Sequence, residues 1–253
     1  MRDHPHDRHK RPAARRVGLA RALSKLGFCS RSQGAELVRA GRARVNGTVR
    51  RDPEWPIQLG ADRIEVEGQE VRDQAKVYLM LNKPRGLVTT AADEKGRATV
   101  LECLSGKGFP FVSPVGRLDK ASEGLLLLTN DTEWAARITE PERHLDKTYH
   151  VQVDCAADDS LTRRMVEGMQ DDGEFLAAKR ARVLRGGGKN SWLEVVLDEG
   201  RNRQIRRLLA ALDVGVLRLV RVAIGRLELG GLKKGEVRRL SEKEADALIQ
   251  GKC

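Results

Sequence analysis

Four leucines in a row, Leu125 to Leu128, stand inside the stretch GRLDKASEGLLLLTND, residues 116–131. An apolar run this short, ended by Thr129, Asn130 and Asp131, reads as a buried strand. The segment just upstream is charged and holds Asp119 two residues after Arg117. In an extended segment residues two apart project to one face. A carboxylate and a guanidinium are thus presented together beside a rigid strand.

The rest of the C-terminal part repeats the theme. VYLMLNKPRG is an apolar run broken by Pro84 and Gly86, a second buried strand. Asp131 or Thr132 can cap a short helix over EWAARI. DKTYHVQV alternates Tyr149, Val151 and Val153 and reads as a strand. SLTRRMVEGM is a helix with Leu161, Met165 and Met169 inward, and RARVLRGGGKNSWLEVVLDEG is two strands joined by a Gly-rich turn. GRNRQIRRLLAALD places Ile205, Leu208, Leu209 and Leu212 on one helical stripe. Strands outnumber helices and do not alternate as βαβ units, which predicts an α+β domain around a mixed, mostly antiparallel sheet.

The net charge is +11, and its placement is more informative than its size. Residues 1–51 hold 14 Lys+Arg against 3 Asp+Glu, so the whole excess lies there and residues 52–253 are neutral overall. This asymmetry predicts an N-terminal grip on a polyanion, RNA or DNA. Residues 1–16 read as a disordered basic arm. Residues 17–71 have the pattern of a folded module. Leu19, Leu23 and Leu26 form one helical stripe, with Arg21 and Lys25 off it. Ser30 and Gln33 form a capping-box signature for a second helix stopped by Gly41. Val45-Asn46-Gly47 into Val49 predicts a hairpin, and DRIEVEG a closing strand. Arg31, Arg39, Arg42, Arg44, Arg50 and Arg51 crowd the second helix and the hairpin. The polar stretch 72–76 is the expected linker before a domain over 77–253.

Composition sets the outer limits. The chain is 40% hydrophobic and 33% charged, enough to bury a core and stay in solution. No run approaches the roughly 18 to 20 apolar residues of a membrane span, and the N-terminus lacks the apolar segment of a signal peptide. Cys29, Cys103, Cys155 and Cys253 are scattered, with neither zinc-type spacing nor a disulfide framework, which suits a reducing cytoplasm. No P-loop or dinucleotide fingerprint is present.

Two resemblances follow from the motifs. GFCSRSQGAELVRAGRARVNG, with the leucine stripe before it, resembles the alpha-L RNA-binding module of a small-subunit ribosomal protein and many RNA-modifying enzymes. KPRG, GRLDKASEGLLLLT, KTY and GRNRQIRR, in this order, resemble the pseudouridine synthases, and within them the RsuA/RluB group. Thr132 stands where glycine is common there, and ALDVGVLRLVR lacks the usual glycine and proline at the helix exit. The resemblance implies a cofactor-free isomerisation of a uridine in ribosomal RNA, with the large subunit (23S) favoured over 16S, by a cytoplasmic monomer. Asp119 takes the nucleophile position. Tyr149 would stack on the target uracil. Arg206 would be the cation that keeps Asp119 ionised. Arg117 would help flip the base, and Ile205 would pack against it. The expected RNA contacts are Arg21, Lys25, Arg31, Arg39, Arg42, Arg44, Arg50 and Arg51 in the first module. In the second they are Lys83, Arg201, Arg203 and Arg207, with Lys83 equally readable as structural. No metal ligands are expected. A non-catalytic ribosome-assembly factor on the same scaffold is the alternative, as is a glycosidase pairing Asp119 with Glu123. Against the first stands the intact set Asp119, Tyr149 and Arg206. Against the second stand the N-terminal arginines, the scarcity of aromatics, and the reading of Glu123 as a solvated or locally bonded side chain.

Overall fold

A computed structural model describes residues 16–91 and 95–250. The expected basic arm, apart from Arg16, lies outside the described residues. The chain divides into two compact units, Met1–Gln74 and Ala75–Cys253.

The first unit runs β1 (Val17–Gly18), α1 (Leu19–Lys25), α2 (Arg31–Arg39), β2 (Ala43–Val45), β3 (Thr48–Arg50), β4 (Pro56–Ile57), β5 (Ile64–Val66) and β6 (Gln69–Glu70). Its sheet has the order β3-β2-β5-β6, and β1 pairs with β4. Ser30 Oγ accepts from Gln33 N at 3.1 Å while Gln33 Oε1 accepts from Ser30 N at 3.0 Å, so the capping box starts α2 as its spacing predicts. Asn46 and Gly47 both have positive φ, 50° and 80°, the pair that a two-residue hairpin turn requires. Leu19 and Leu23 are fully buried with Val38, Val45, Ile57 and Ile64. Gly34 lets α2 close on α1, since a Cβ there would come 3.2 Å from the Ala20 carbonyl.

The second unit runs β7 (Tyr78–Lys83), β8 (Ser113–Val115), β9 (Glu123–Thr129), α3 (Thr132–Thr139), β10 (Lys147–Val153), α4 (Asp159–Glu167), β11 (Met169–Asp171), β12 (Glu174–Leu176), β13 (Arg180–Gly186), β14 (Ser191–Leu197), α5 (Gln204–Ala210), β15 (Val216–Ile224), β16 (Leu227–Glu228), β17 (Val237–Arg239) and α6 (Glu242–Gln250). Its main sheet has the order β13-β14-β10-β15-β9-β7-β17, with β16 on β15 and β8 on β9. All pairings are antiparallel except β15 with β9, joined through Val220↔Glu123 and Arg221↔Gly124. This is the mixed, mostly antiparallel sheet that the strand pattern predicts.

The leucine run now has a cause. Leu126 and Leu128 enter the core that also buries α5 through Ile205, Leu208 and Leu209. Leu125 and Leu127 enter the opposite core with Trp134 and Ile138 of α3 and Leu248 of α6. A strand covered on both faces has no polar side, so it cannot alternate. Asp131 caps α3, its Oδ1 accepting from Glu133 N and Trp134 N at 3.0 Å each.

Two expectations change, and one strand is added. α4 ends at Glu167 with Gly168 at φ 76°, so Met169 opens β11 instead of completing the helical stripe. α5 covers only Gln204–Ala210, and Leu212 is buried beyond its end. VLRLVRVAI, which had no assignment, is the longest strand of the sheet, β15. Its arginines interrupt the apolar pattern that would have marked it.

Candidate active site

The turn between β8 and β9 carries Asp119, and it is held from several sides. Ser122 N donates to the Asp119 carbonyl at 2.9 Å, closing the turn, and Gly86 N donates to the Lys120 carbonyl at 2.8 Å. Thr89 Oγ1 donates to the Leu118 carbonyl at 2.6 Å. Lys83, at the end of β7, points its ammonium into the same turn. Nζ donates to the carbonyls of Asp119 (3.2 Å), Ser122 (2.9 Å) and Pro84 (3.2 Å). Lys83 is 0% exposed, so it has no surface to offer a phosphate. Its expected RNA contact is corrected to the structural reading. Burial pushes its pKa down to about 8, while the charges of Asp119 and Glu123 act upward.

Asp119 and Tyr149 line one cleft of about 360 Å³, together with Arg117, Arg203, Ile205, Leu219 and Arg221. Tyr149 stands on β10 opposite Val195 of β14 and Arg221 of β15, and is 9% exposed. Arg117 is exposed and Ile205 buried.

Among the described residues the cation in ion-pair range of the Asp119 carboxylate is Arg203, where the resemblance implied Arg206. Arg203 Nη1 lies 3.8 Å from Asp119 Oδ2. Arg203 is left-handed, φ 51° and ψ 30°, at the N-terminal edge of α5, an unusual setting for a residue with a Cβ. Both side chains are partly exposed, so the pair is weak without RNA. Arg206 forms no ion pair among the described residues. Its Nη2 donates to the Ala121 carbonyl at 3.2 Å, and its Nε is buried without a partner. Burial, then the charge of Arg203, pulls Arg206 below the ordinary arginine value, and Asp119 acts the other way. Arg206 therefore steadies the turn from behind, one helical position past the cleft-lining Ile205.

Other charged groups are paired with neighbours. Arg207 is tied to Asp171 and Glu174 at 2.5 Å each, and Arg201 to Glu199 at 2.9 Å. The expected phosphate contact of Arg207 is thus taken up by a clamp between α5 and the β11–β12 hairpin. Glu123 is 3% exposed, gripped by Arg218 through both oxygens (3.1 Å each) and by Lys234 at 2.6 Å. Burial raises its pKa, but hydrogen bonds from Arg218 and Lys234 outweigh this and lower it. It is locally bonded, not solvated, and cannot pair with Asp119 as a glycosidase would require. In the first unit Arg21, Arg31, Arg39, Arg42, Arg44 and Arg51 are exposed. Arg31 pairs with Glu54 at 3.6 Å and Arg42 with Glu67. Arg50 lies 3.8 Å over the Trp55 ring, and Lys25 is half-buried. Among the described residues no three of His, Cys, Asp and Glu gather as a metal site would need. No helix there is long and apolar enough to cross a membrane.

Sequence reasoning missed Arg221, Ser122 and Leu219 on the cleft wall. For Arg221 the available signal was an arginine at the same alternate positions as Leu219 and Ala223 in a largely apolar run.

A basic module, followed by a nine-stranded mixed sheet with a cleft lined by the Asp119 turn, Tyr149 and several arginines, is a build suited to RNA modification. The chain belongs to the RNA pseudouridylate synthase family, whose model matches residues 77–211, and residues 17–64 match the S4 domain. With both parts it is a pseudouridine synthase of the RsuA/RluB type, an isomerase. An RNA pseudouridine synthase of Aquifex aeolicus is 38% identical over 236 residues, covering 92% of this chain and 94% of the relative. The ribosomal large subunit pseudouridine synthase B of Bacillus subtilis is 36% identical over 234 residues, covering 91% and 94%. A crystal structure of a pseudouridylate synthase superposes with a TM-score of 0.62 at 30% identity, covering 92% of this chain and all of that one.

Proposed function

We propose that the protein converts a specific uridine of large-subunit (23S) ribosomal RNA to pseudouridine in the cytoplasm, acting as a monomer with Asp119 as nucleophile. The observation that carries the assignment is the cleft that Asp119 and Tyr149 line together. The large-subunit target is supported by the name of the Bacillus subtilis relative.

Each group has a task that its setting suits. The flipped uridine enters the cleft with its ring against Tyr149 and the apolar side chain of Ile205. Arg117, exposed at the rim, takes the place of the extruded base in the helix. Asp119 engages the nucleotide, and the anchored turn around it keeps the carboxylate in position through the base rotation. Arg203 balances its charge in the free enzyme and is exposed enough to move to a phosphate once RNA arrives. The first unit supplies the salt-sensitive grip on the RNA backbone through its exposed arginines.

Asp119→Asn tests the assignment, because it keeps the shape and removes the charge. Tritium release from uridine-labelled large-subunit rRNA should be abolished while RNA affinity stays within a few-fold. Turnover by Asp119→Asn would remove the carboxylate from the mechanism. Pseudouridine mapping in a strain lacking the gene should lose one or a few positions in 23S rRNA; a loss confined to 16S rRNA would reassign the substrate.

A further inference from the structure

Arg221 is a buried charge that the fold leaves half used. It lies on β15 directly across from Tyr149 on β10, so the two side chains share a face of the sheet. It lines the cleft that holds Asp119, yet is only 4% exposed. Nε donates to the Leu125 carbonyl at 2.7 Å, whereas Nη2 is buried with no partner. Among the described residues Arg221 makes no ion pair, and it sits near a second cation. Burial, then the charge of Arg221, lowers the pKa of Lys147 on the same cleft. Ser122 Oγ, also on this wall, is buried and unpartnered too. A guanidinium cannot shed its proton, so an unmatched one in a sealed wall is costly until an acceptor arrives.

The isomerisation supplies such an acceptor. Asp119 bonds to C1′ as the C1′–N1 bond of uridine breaks, and the electron pair of the broken bond leaves with the base and spreads onto the ring oxygens O2 and O4. The pair returns when C5 bonds to C1′ and the C1′–O bond to Asp119 breaks, which frees the carboxylate. C5 then loses its proton and N1 gains one. Negative charge on the ring oxygens is therefore transient and greatest between the two bond changes. Donors that meet it in a water-poor site act mainly on the transition state. We propose that Arg221 is a catalytic residue whose guanidinium turns into the cleft it lines when the uracil enters, so that Nη2 donates to a carbonyl oxygen of the base and holds the charge that develops there, with the Ser122 hydroxyl, rotated the same way, as second donor. This rests on the assignment of the cleft made above.

The position modified by the wild-type enzyme is first mapped on a large-subunit rRNA transcript. An RNA oligonucleotide spanning it then carries uridine, 2-thiouridine or 4-thiouridine there, sulfur being the weaker acceptor. Single-turnover rates of Arg221→Gln should fall on the order of 100-fold or more, with RNA affinity held within about 3-fold. One of the two sulfur substitutions should slow the wild type and leave Arg221→Gln unaffected. Methylguanidinium should restore part of the rate of Arg221→Ala, a rescue that a scaffold defect would not show. Equal slowing of wild type and variant by both sulfur substitutions would overturn the proposal, as would wild-type turnover by Arg221→Gln. A wild-type enzyme that makes no pseudouridine in the transcript would instead defeat the cleft assignment, and this proposal with it.

Discussion

Lys83 brings three N–H donors to three backbone carbonyls, two of them in the turn that carries Asp119. Its ammonium is matched in number and geometry, so its task is to set the backbone of the Asp119 turn. Lys83→Met should leave those carbonyls without a donor and cost about 2 kcal/mol of stability. It should lower kcat with little change in KM, because Lys83 has no surface for RNA. Urea denaturation and steady-state kinetics check the two parts. The pH dependence has a definite sign. With a folded pKa of about 8 against an ordinary 10.5, the folded protein loses this proton first. Between those values the unfolded chain binds more protons, so the Lys83 contribution to stability rises with pH across that window. Lys83→Met should lack that rise. A lysine beside Pro84 was visible as either structural or phosphate-binding in the sequence; complete burial decides for the first. In the same way the resemblance gave the role of Asp119's partner to Arg206 and an RNA contact to Arg203, whereas the left-handed start of α5 brings Arg203 to 3.8 Å from the carboxylate.

β9 and β15 meet where the candidate site is built, and Gly124 permits the meeting. It has φ of 100°, and a Cβ there would lie 2.2 Å from the Arg221 carbonyl oxygen. No small shift relieves a backbone clash of that size in a strand buried on both sides. Gly124→Ala should therefore cost roughly 2–5 kcal/mol and separate Arg221 from the Asp119 turn. A lowered urea midpoint together with a lowered kcat is the expected result; unchanged stability would mean that the parallel join is not required. Elements governed by near neighbours were legible in advance: the capping box of α2, the Asn46-Gly47 hairpin, the Asp131 cap and the leucine strand. β15 was not. Arg218 and Arg221 break its apolar pattern, and the acceptors they reach, Glu123 and the Leu125 carbonyl, lie 95 and 96 residues away in the chain.

The two units divide charge and chemistry between them. All of the net positive charge belongs to residues 1–51, whereas the cleft and both large cores belong to the second unit. A chain starting at Ala75 should therefore fold alone and bind rRNA more weakly, with a shallower dependence on salt. The slope should fall by about 0.7–0.9 for each phosphate that is no longer neutralised. Its rate at saturating RNA should drop less than its affinity. Binding across a salt series and single-turnover rates for both chains test this; normal binding without turnover would show that the first unit completes the active site. The charge asymmetry, the class of fold, the capped helices and the carboxylate-bearing motif could all be read from residue order, because each depends on composition or on residues a few positions apart. The placement of Arg221 against Tyr149, the choice of Arg203 over Arg206 and the burial of Lys83 could not. The first arises when β15 inserts between β10 and β9, and the others when the Asp119 turn settles against the start of α5 and the end of β7; neither local propensity nor periodicity encodes which distant segments will meet.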